Sequence, residues 1–160
     1  MFIRAALAFL ALPAVVGGVV PWLLLGNDLW RMRGTWLGWA VLLLGACILI
    51  WCVLDFYRIG RGTLAPWDPP RKLVILGLYR FMRNPMYVGV LVWVAGWSLV
   101  AGSPLLAAYV LFLAILFHLR VIFYEEPTLA REFGVDWTRY RESVNRWLPK
   151  LSSKTRVRSS

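Results

Sequence analysis

Histidine is almost missing from this chain, with His118 alone in 160 residues, and cysteine is confined to Cys47 and Cys52. That donor set is too small to build a zinc or iron site, so no metal is expected. The two cysteines lie five apart in one apolar run, on different sides of a helix, which puts a disulfide between them out of reach. Acidic residues are scarce as well, 8 against 18 lysines and arginines, leaving a net charge of +10. No nucleic-acid-binding motif accompanies that charge. On a chain with long apolar runs its natural partner is the anionic inner leaflet of a membrane, through membrane lipids. Only 16% of the residues are charged while 60% are hydrophobic, and the mean hydropathy is +0.64. A soluble domain of this size could not bury so much apolar surface, and an integral membrane protein is expected.

Four runs approach the roughly 20 apolar residues that a helix needs to cross the hydrocarbon. They are residues 2–25, 36–57, 86–101 and 105–124. The first follows Arg4 in the manner of a signal peptide, but its length, Pro13 and Pro21, and the three runs after it favour a retained helix. Gly102-Ser103-Pro104 joins the third and fourth runs: Ser103 suits an N-cap and Pro104 a first helical turn, so these two form a tight antiparallel hairpin. The expected fold is an all-α polytopic membrane protein of four transmembrane helices, with a C-terminal helical hairpin and interfacial amphipathic helices. Residues 1–150 make one membrane-embedded domain, and the polar, basic residues 151–160 a disordered tail.

Basic residues concentrate between the second and third runs (Arg58, Arg61, Arg71, Lys72, Arg80, Arg83) and after Arg120. Both regions are expected on the cytoplasmic side, with both termini inside, in the cell membrane of a bacterium or archaeon. Several of the ten tryptophans, among them Trp22, Trp30, Trp36 and Trp67, fall at run ends as an aromatic belt would require.

The third run is preceded by GLYRFMRNPMYVG, Gly77–Gly89. Membrane entry alone accounts for each residue type: Asn84 as N-cap, Pro85 as first helical residue, Tyr87 as interfacial aromatic, Arg80 and Arg83 as the positive-inside signal. A second feature argues for more. Glu125-Glu126 closes the fourth run, and two adjacent carboxylates at the edge of the hydrocarbon need cations or donors. The hairpin returns them to the face that carries Arg80 and Arg83, so the two motifs are expected to meet, as a salt bridge at the hairpin mouth or as a polar pocket. Beyond them, Pro127 is expected to start a short helix to Phe133, stopped by Gly134. Asp136 should cap a second helix in which Trp137, Tyr140, Val144 and Trp147 recur at helical spacing, ending at Pro149. The segment 127–149 is an interfacial anchor or a lid over the pocket.

These residues resemble the integral membrane methyltransferases that include isoprenylcysteine carboxyl methyltransferase and phosphatidylethanolamine N-methyltransferase. The similarity runs from about Gly60 to Pro149 through GRGTLAPWDPPRKLV, GLYRFMRNPMYVG, the apolar hairpin and EEPTLAREFGVDWTRYRESVNRWLP. The combination of R-[HN]-P-x-Y and E-E-x-x-L-x-x-x-F-G across a two-span hairpin carries it. Asn84 stands where the eukaryotic carboxyl methyltransferases have histidine, Leu78 where a proline is common and Trp137 where a tyrosine is usual, which leaves the acceptor open among carboxylate, amine and thiol.

The resemblance implies S-adenosyl-L-methionine as cofactor and a lipid-like or prenylated acceptor entering from the bilayer. It assigns Arg83 and Glu126 to catalysis, Tyr79, Asn84, Tyr87, Gly89, Glu125 and Glu126 to the cofactor, and Arg83, Tyr140 and Arg141 to the acceptor. Other readings of the same residues stand beside these. Arg83 suits a lipid phosphate, Tyr87 the aromatic belt, Gly89 and Gly96 close helix packing, and His118 a hydrogen bond inside the bundle. Arg120 points to the interface or into the site. A non-catalytic scaffold or small subunit, with the two motifs only stitching the hairpin together, is the competing reading from another class.

Overall fold

The computed structural model describes residues 14–26, 34–59, 73 and 75–149. The start of the first expected span, most of the basic segment between the second and third spans, and the tail 151–160 lie outside the described residues. Every regular element among the described residues is helical.

Helix α1, Val15–Leu25, opens with a wide π turn over Val15–Val19 and tightens to α geometry at Val20. Its carbonyls take side-chain donors from later helices: Trp93 Nε1 donates to Gly17 O at 2.7 Å and the Tyr109 hydroxyl to Val16 O at 3.2 Å. Helix α2, Trp36–Ile59, begins where Thr35 Oγ1 accepts the Gly38 N–H at 3.1 Å, satisfying one of the free donors of the first turn. Helices α3, Pro85–Ala101, and α4, Pro104–Arg120, are joined by a left-handed Gly102 (φ 61°) and by Ser103, whose side chain accepts from the Leu106 N–H at 3.4 Å. The hairpin expected from Gly-Ser-Pro is formed with the capping chemistry expected of it.

Although α3 and α4 are neighbours in sequence, α3 packs most extensively on α2. Glycines allow the approach. A Cβ on Gly96 would fall 2.5 Å from Leu42 Cα, and one on Gly45 would fall 2.5 Å from the Trp93 backbone nitrogen. With no hydrophobic effect between helices in lipid, close backbone contact of this kind is what holds a membrane bundle together. The core proper lies beside this contact, where Val90 and Val94 meet Leu113 and Phe117 of α4, with Leu49 of α2 packed against them.

The helical path does not break at Pro127. A π turn, Val121–Glu125, follows α4 directly and leads into α5, Glu126–Ser143. The expected new start at Pro127 is corrected: the register widens just before the proline, so its missing N–H and ring fall in the first turn of α5, where both are tolerated. Gly134 does interrupt the helix, with φ 48° and ψ −115°, and sets a kink inside α5. The expected helical end at Pro149 is also corrected. Val144 is extended (φ −127°, ψ 131°), and the chain forms an isolated parallel bridge between Met82 and Asn145, with the Arg83 N–H donating to Asn145 O at 2.9 Å. Trp137, Tyr140 and Val144 still cluster, as their spacing suggests, whereas Trp147 crosses to pack beside Tyr87 on the main core.

Two of these helical stretches are long and apolar enough to cross a bilayer, Trp36–Asp55 within α2 and the continuous run Pro104–Ser143; α1 and α3 are shorter apolar helices. Their outer surfaces are greasy, with Trp36 81% exposed, Phe123 75% and Leu111 67%. Apolar side chains left uncovered on this scale, on an all-α bundle, are those of a membrane protein.

Candidate functional site at the hairpin mouth

The Gly77–Arg80 turn, the start of α3, the π turn after α4 and the extended residues after α5 converge at one end of the bundle. Their charged residues form two clusters, one around each glutamate. The Tyr87 hydroxyl, in the first turn of α3, donates to Glu125 Oε1. Arg120 Nε donates to the same oxygen at 3.0 Å and to the Tyr87 hydroxyl at 3.1 Å. In a regular α-helix, residues five apart point about 140° away from each other. The π turn between them removes most of that angle and brings Arg120 and Glu125 to one face, a use of π geometry common at functional sites.

Glu126 turns the other way. Arg146 grips it as a fork, Nε to Oε1 at 2.7 Å and Nη2 to Oε2 at 2.9 Å, and Arg83 Nη1 stands 3.0 Å from Oε1. Arg83 and Glu126 side chains are only 9% and 13% exposed. The approach of Arg83 is close enough for an ion pair, yet its N–H is not aimed at the carboxylate: Nε and Nη1 are both buried without a hydrogen-bond acceptor. Burial pulls the proton affinity of this guanidinium down and Glu126 pulls it back up. The Arg146 guanidinium moves the other way, its proton held by the hydrogen bonds to Glu126.

The two motifs that the sequence placed on one membrane face therefore touch, through Tyr87–Glu125 and Arg83–Glu126. Asn84 is nearby but does not cap α3 with its side chain; its Nδ2 donates to Arg146 O at 3.2 Å and fastens the segment after α5. Tyr79 lies in the Gly77–Arg80 turn, and its carbonyl accepts from the buried Tyr140 hydroxyl at 2.6 Å. Burial raises the pKa of both hydroxyls, and that of Tyr79 is raised further by Cys52, Tyr140, Glu125 and Tyr87 around it. The Arg83 guanidinium lies over the Trp137 ring, 5.6 Å from its centroid.

One expected site residue faces elsewhere: Gly89 is buried against α2, where a Cβ would fall 2.9 Å from Ile48 Cγ2, so its face is filled by helix packing. Arg141 is exposed on α5 but near enough to Arg83 for its positive charge to act on that guanidinium. His118 does make a hydrogen bond, its Nδ1 accepting from Trp147 Nε1 at 3.1 Å, but on the exposed surface of α4 and not inside the bundle as expected. Trp147 also meets Tyr87 edge-on at 6.5 Å, while Tyr87 lies 4.6 Å from the Phe117 ring, so aromatic faces wall the Glu125 cluster. Arg146 and Asp55 were not singled out by sequence reasoning. Arg146 reads as one more polar position on an amphipathic segment, whereas Asp55, a carboxylate inside an apolar helix, carries a signal that was available. Among the described residues no three of His, Cys, Asp and Glu gather as a metal site would require.

Residues 33–136 match the profile of the phospholipid methyltransferase family. The chain belongs to that family. The match takes in Arg83, Asn84, Tyr87, Arg120, Glu125 and Glu126 and stops short of Tyr140 and Arg146. Among curated proteins, the chain is similar to a probable protein-S-isoprenylcysteine O-methyltransferase of Oryza sativa subsp. indica, 36% identical over 84 residues, covering 52% of this chain and 44% of that one. It is similar also to protein-S-isoprenylcysteine O-methyltransferases A and B of Arabidopsis thaliana. Form A is 38% identical over 83 residues (52% of this chain, 42% of the relative) and form B 33% identical over 78 (49% and 40%). The chain thus spans less than half the length of these relatives, all of them plant proteins. No solved structure matches the chain. Family membership and the apolar bundle together make it a membrane protein of the phospholipid methyltransferase family.

Proposed function

We propose that the chain transfers a methyl group from S-adenosyl-L-methionine to a lipophilic acceptor that enters the hairpin mouth from the bilayer. The observation that carries this reading is Arg83, whose buried Nε lacks an acceptor and whose Nη1 meets Glu126 only as an off-line ion pair, at the junction of the two family motifs. A buried donor without a partner costs more than the bond it would make, so a ligand oxygen there is favoured. A carboxylate answers the guanidinium fork, and both the cofactor and an acid acceptor carry one. The donor set fits the cofactor's other groups as well: Glu125 and Glu126 offer charge to its cations and hydroxyls, and Tyr87, Phe117 and Trp147 offer aromatic faces.

When bound, the cofactor would supply an electrophilic methyl on a sulfonium, to be taken up in line by an acceptor heteroatom as the C–S bond breaks and S-adenosylhomocysteine leaves. The protein's own part is alignment and exclusion of water. Arg83 fixes a carboxylate. Tyr87, together with Arg120, sets the orientation of the Glu125 carboxylate, and the Val144–Trp147 segment, latched by Arg146 on Glu126 and by Trp147 on His118, covers the mouth. A carboxylate acceptor needs no base, whereas an amine must give up a proton. The curated relatives are named for O-methylation of isoprenylcysteine, which favours a carboxylate on a prenylated acceptor.

Four crossings with both termini cytoplasmic place this mouth at the inner interface, where the basic segments belong. The competing reading is a structural salt-bridge cluster, favoured by the closed fork of Arg146 on Glu126. Isothermal titration of the detergent-purified protein with S-adenosylhomocysteine separates the two: saturable binding supports the enzyme, and no binding leaves the scaffold.

A further inference from the structure

Asp55 lies in α2, outside the hairpin and outside every role given above, and is 7% exposed. A carboxylate is poorly placed there on two grounds. It interrupts an apolar membrane helix, and it stands near the helix C-terminus, whose partial charge is already negative. Its contacts show what it does. Oδ2 accepts the Leu78 N–H at 3.4 Å, across 23 residues of chain. The same oxygen presses on Gly77, where an added Cβ would fall 1.7 Å from it, and Gly77 has φ +58°, a conformation that favours glycine. Carboxylate and glycine therefore interlock. From that lock the turn runs through Tyr79, whose carbonyl is held by Tyr140, to Arg83 with its buried, unmatched Nε.

We propose that Asp55 is a positioning residue for the methyl-transfer site: by anchoring Gly77 and Leu78 to α2 it sets where Tyr79 and Arg83 stand at the hairpin mouth. It touches neither the reacting atoms nor the ligand. Its effect passes through the backbone of the 77–83 segment, so an asparagine, which keeps an acceptor oxygen at the same place, substitutes for it where an alanine does not. Only the cofactor readout of this inference rests on the methyltransferase reading.

The test measures two things on the full chain in detergent, with Asp55→Asn, Asp55→Ala and Gly77→Ala variants. The first is amide hydrogen exchange over residues 78–83 without ligand. The second is the dissociation constant for S-adenosylhomocysteine. Asp55→Ala is expected to speed exchange of these amides about tenfold and to weaken binding roughly five- to tenfold, the loss of about one hydrogen bond, with exchange in α4 unchanged. Asp55→Asn is expected to restore most of both. Gly77→Ala should be milder in the Asp55→Ala background than alone, since the clash it creates is with the carboxylate. Unchanged exchange at 78–83 in Asp55→Ala, or equal impairment in Asp55→Asn and Asp55→Ala, overturns the inference whatever the binding result. Faster exchange in Asp55→Ala, rescued in Asp55→Asn, upholds the anchor even if the wild-type chain binds no S-adenosylhomocysteine, and that second outcome overturns the methyltransferase reading alone.

Discussion

The Tyr87 hydroxyl donates to Oε1 of Glu125, a residue 38 positions later, while the next carboxylate, Glu126, faces Arg83 and Arg146. Adjacent glutamates are thus divided between two clusters of different exposure. Arg120, the cation beside Glu125, is 39% exposed, whereas Arg83 beside Glu126 is 9% exposed. Water compensates a lost partner at the first and not at the second.

Glu126→Gln is therefore expected to destabilise the ligand-free protein more than Glu125→Gln does. Removing one partner of a buried pair costs about 3–5 kcal/mol, and the partly exposed Arg146 lowers that toward about 2–3. Glu125→Gln should cost under about 1 kcal/mol and act mainly on S-adenosylhomocysteine affinity, by roughly tenfold. Thermal unfolding and titration on the same two variants check this, and the reverse order of stabilities would remove the division of labour.

What the sequence makes legible here follows the range of each interaction. The Gly-Ser-Pro hairpin and the Gly134 break are local, set by backbone preferences of the residues themselves. The meeting of RNPMY with Glu125-Glu126 is long-range but forced, because a two-helix hairpin of fixed length returns the chain to the same face. The side chain of Asn84 was not legible: a cap residue finds its usual partner three residues on, and this one finds Arg146 O, 62 residues on. Nor was the path through Pro127, since a π turn leaves no pattern of its own and depends on tertiary contacts to hold its wider register. Apolar spacing ran on past Ser143 to Val144 and Trp147, so the true helix end, set by the bridge to Met82, was hidden behind a periodicity that packing preserves.

Arg146→Lys is expected to behave as a severe change. A lysine keeps the charge but cannot make the two parallel hydrogen bonds of the fork, which also leaves its share of Glu126 to Arg83. The segment Val144–Pro149 should become more open to limited proteolysis and cofactor affinity should fall several-fold, with helix content by circular dichroism unchanged. Wild-type protease resistance in the lysine variant would show that the fork is not the latch.

Orientation is tested by accessibility of single cysteines in a background with Cys47 and Cys52 replaced by alanine. Leu105 and Arg141 are exposed and lie toward opposite ends of the hairpin. With the site at the inner interface, Leu105→Cys in intact cells should react with an impermeant maleimide, and Arg141→Cys should react only after the membrane is opened. Labelling of Arg141→Cys from outside sinks the proposed orientation.

Alkaline stability carries a signature of the Tyr140–Tyr79 contact. Burial raises the Tyr140 pKa, so its hydroxyl stays protonated in the folded protein at a pH where the unfolded chain, titrating near 10, has lost that proton. The folded state then binds more protons than the unfolded one, and stability must fall as pH rises from about 10 toward the raised value. Below that window the hydroxyl contributes its full hydrogen bond to Tyr79 O, about 1 kcal/mol. Tyr140→Phe removes both effects while keeping the ring against Trp137. The wild type should thus be more stable than the phenylalanine variant by about 1 kcal/mol at pH 8, and the gap should shrink above about pH 10. Unfolding in denaturant at a series of pH values measures the gap directly. A difference that stays constant from pH 8 to 11 would mean that Tyr140 is not buried against Tyr79, and the anchoring of the turn that leads to Arg83 would lose one of its two supports.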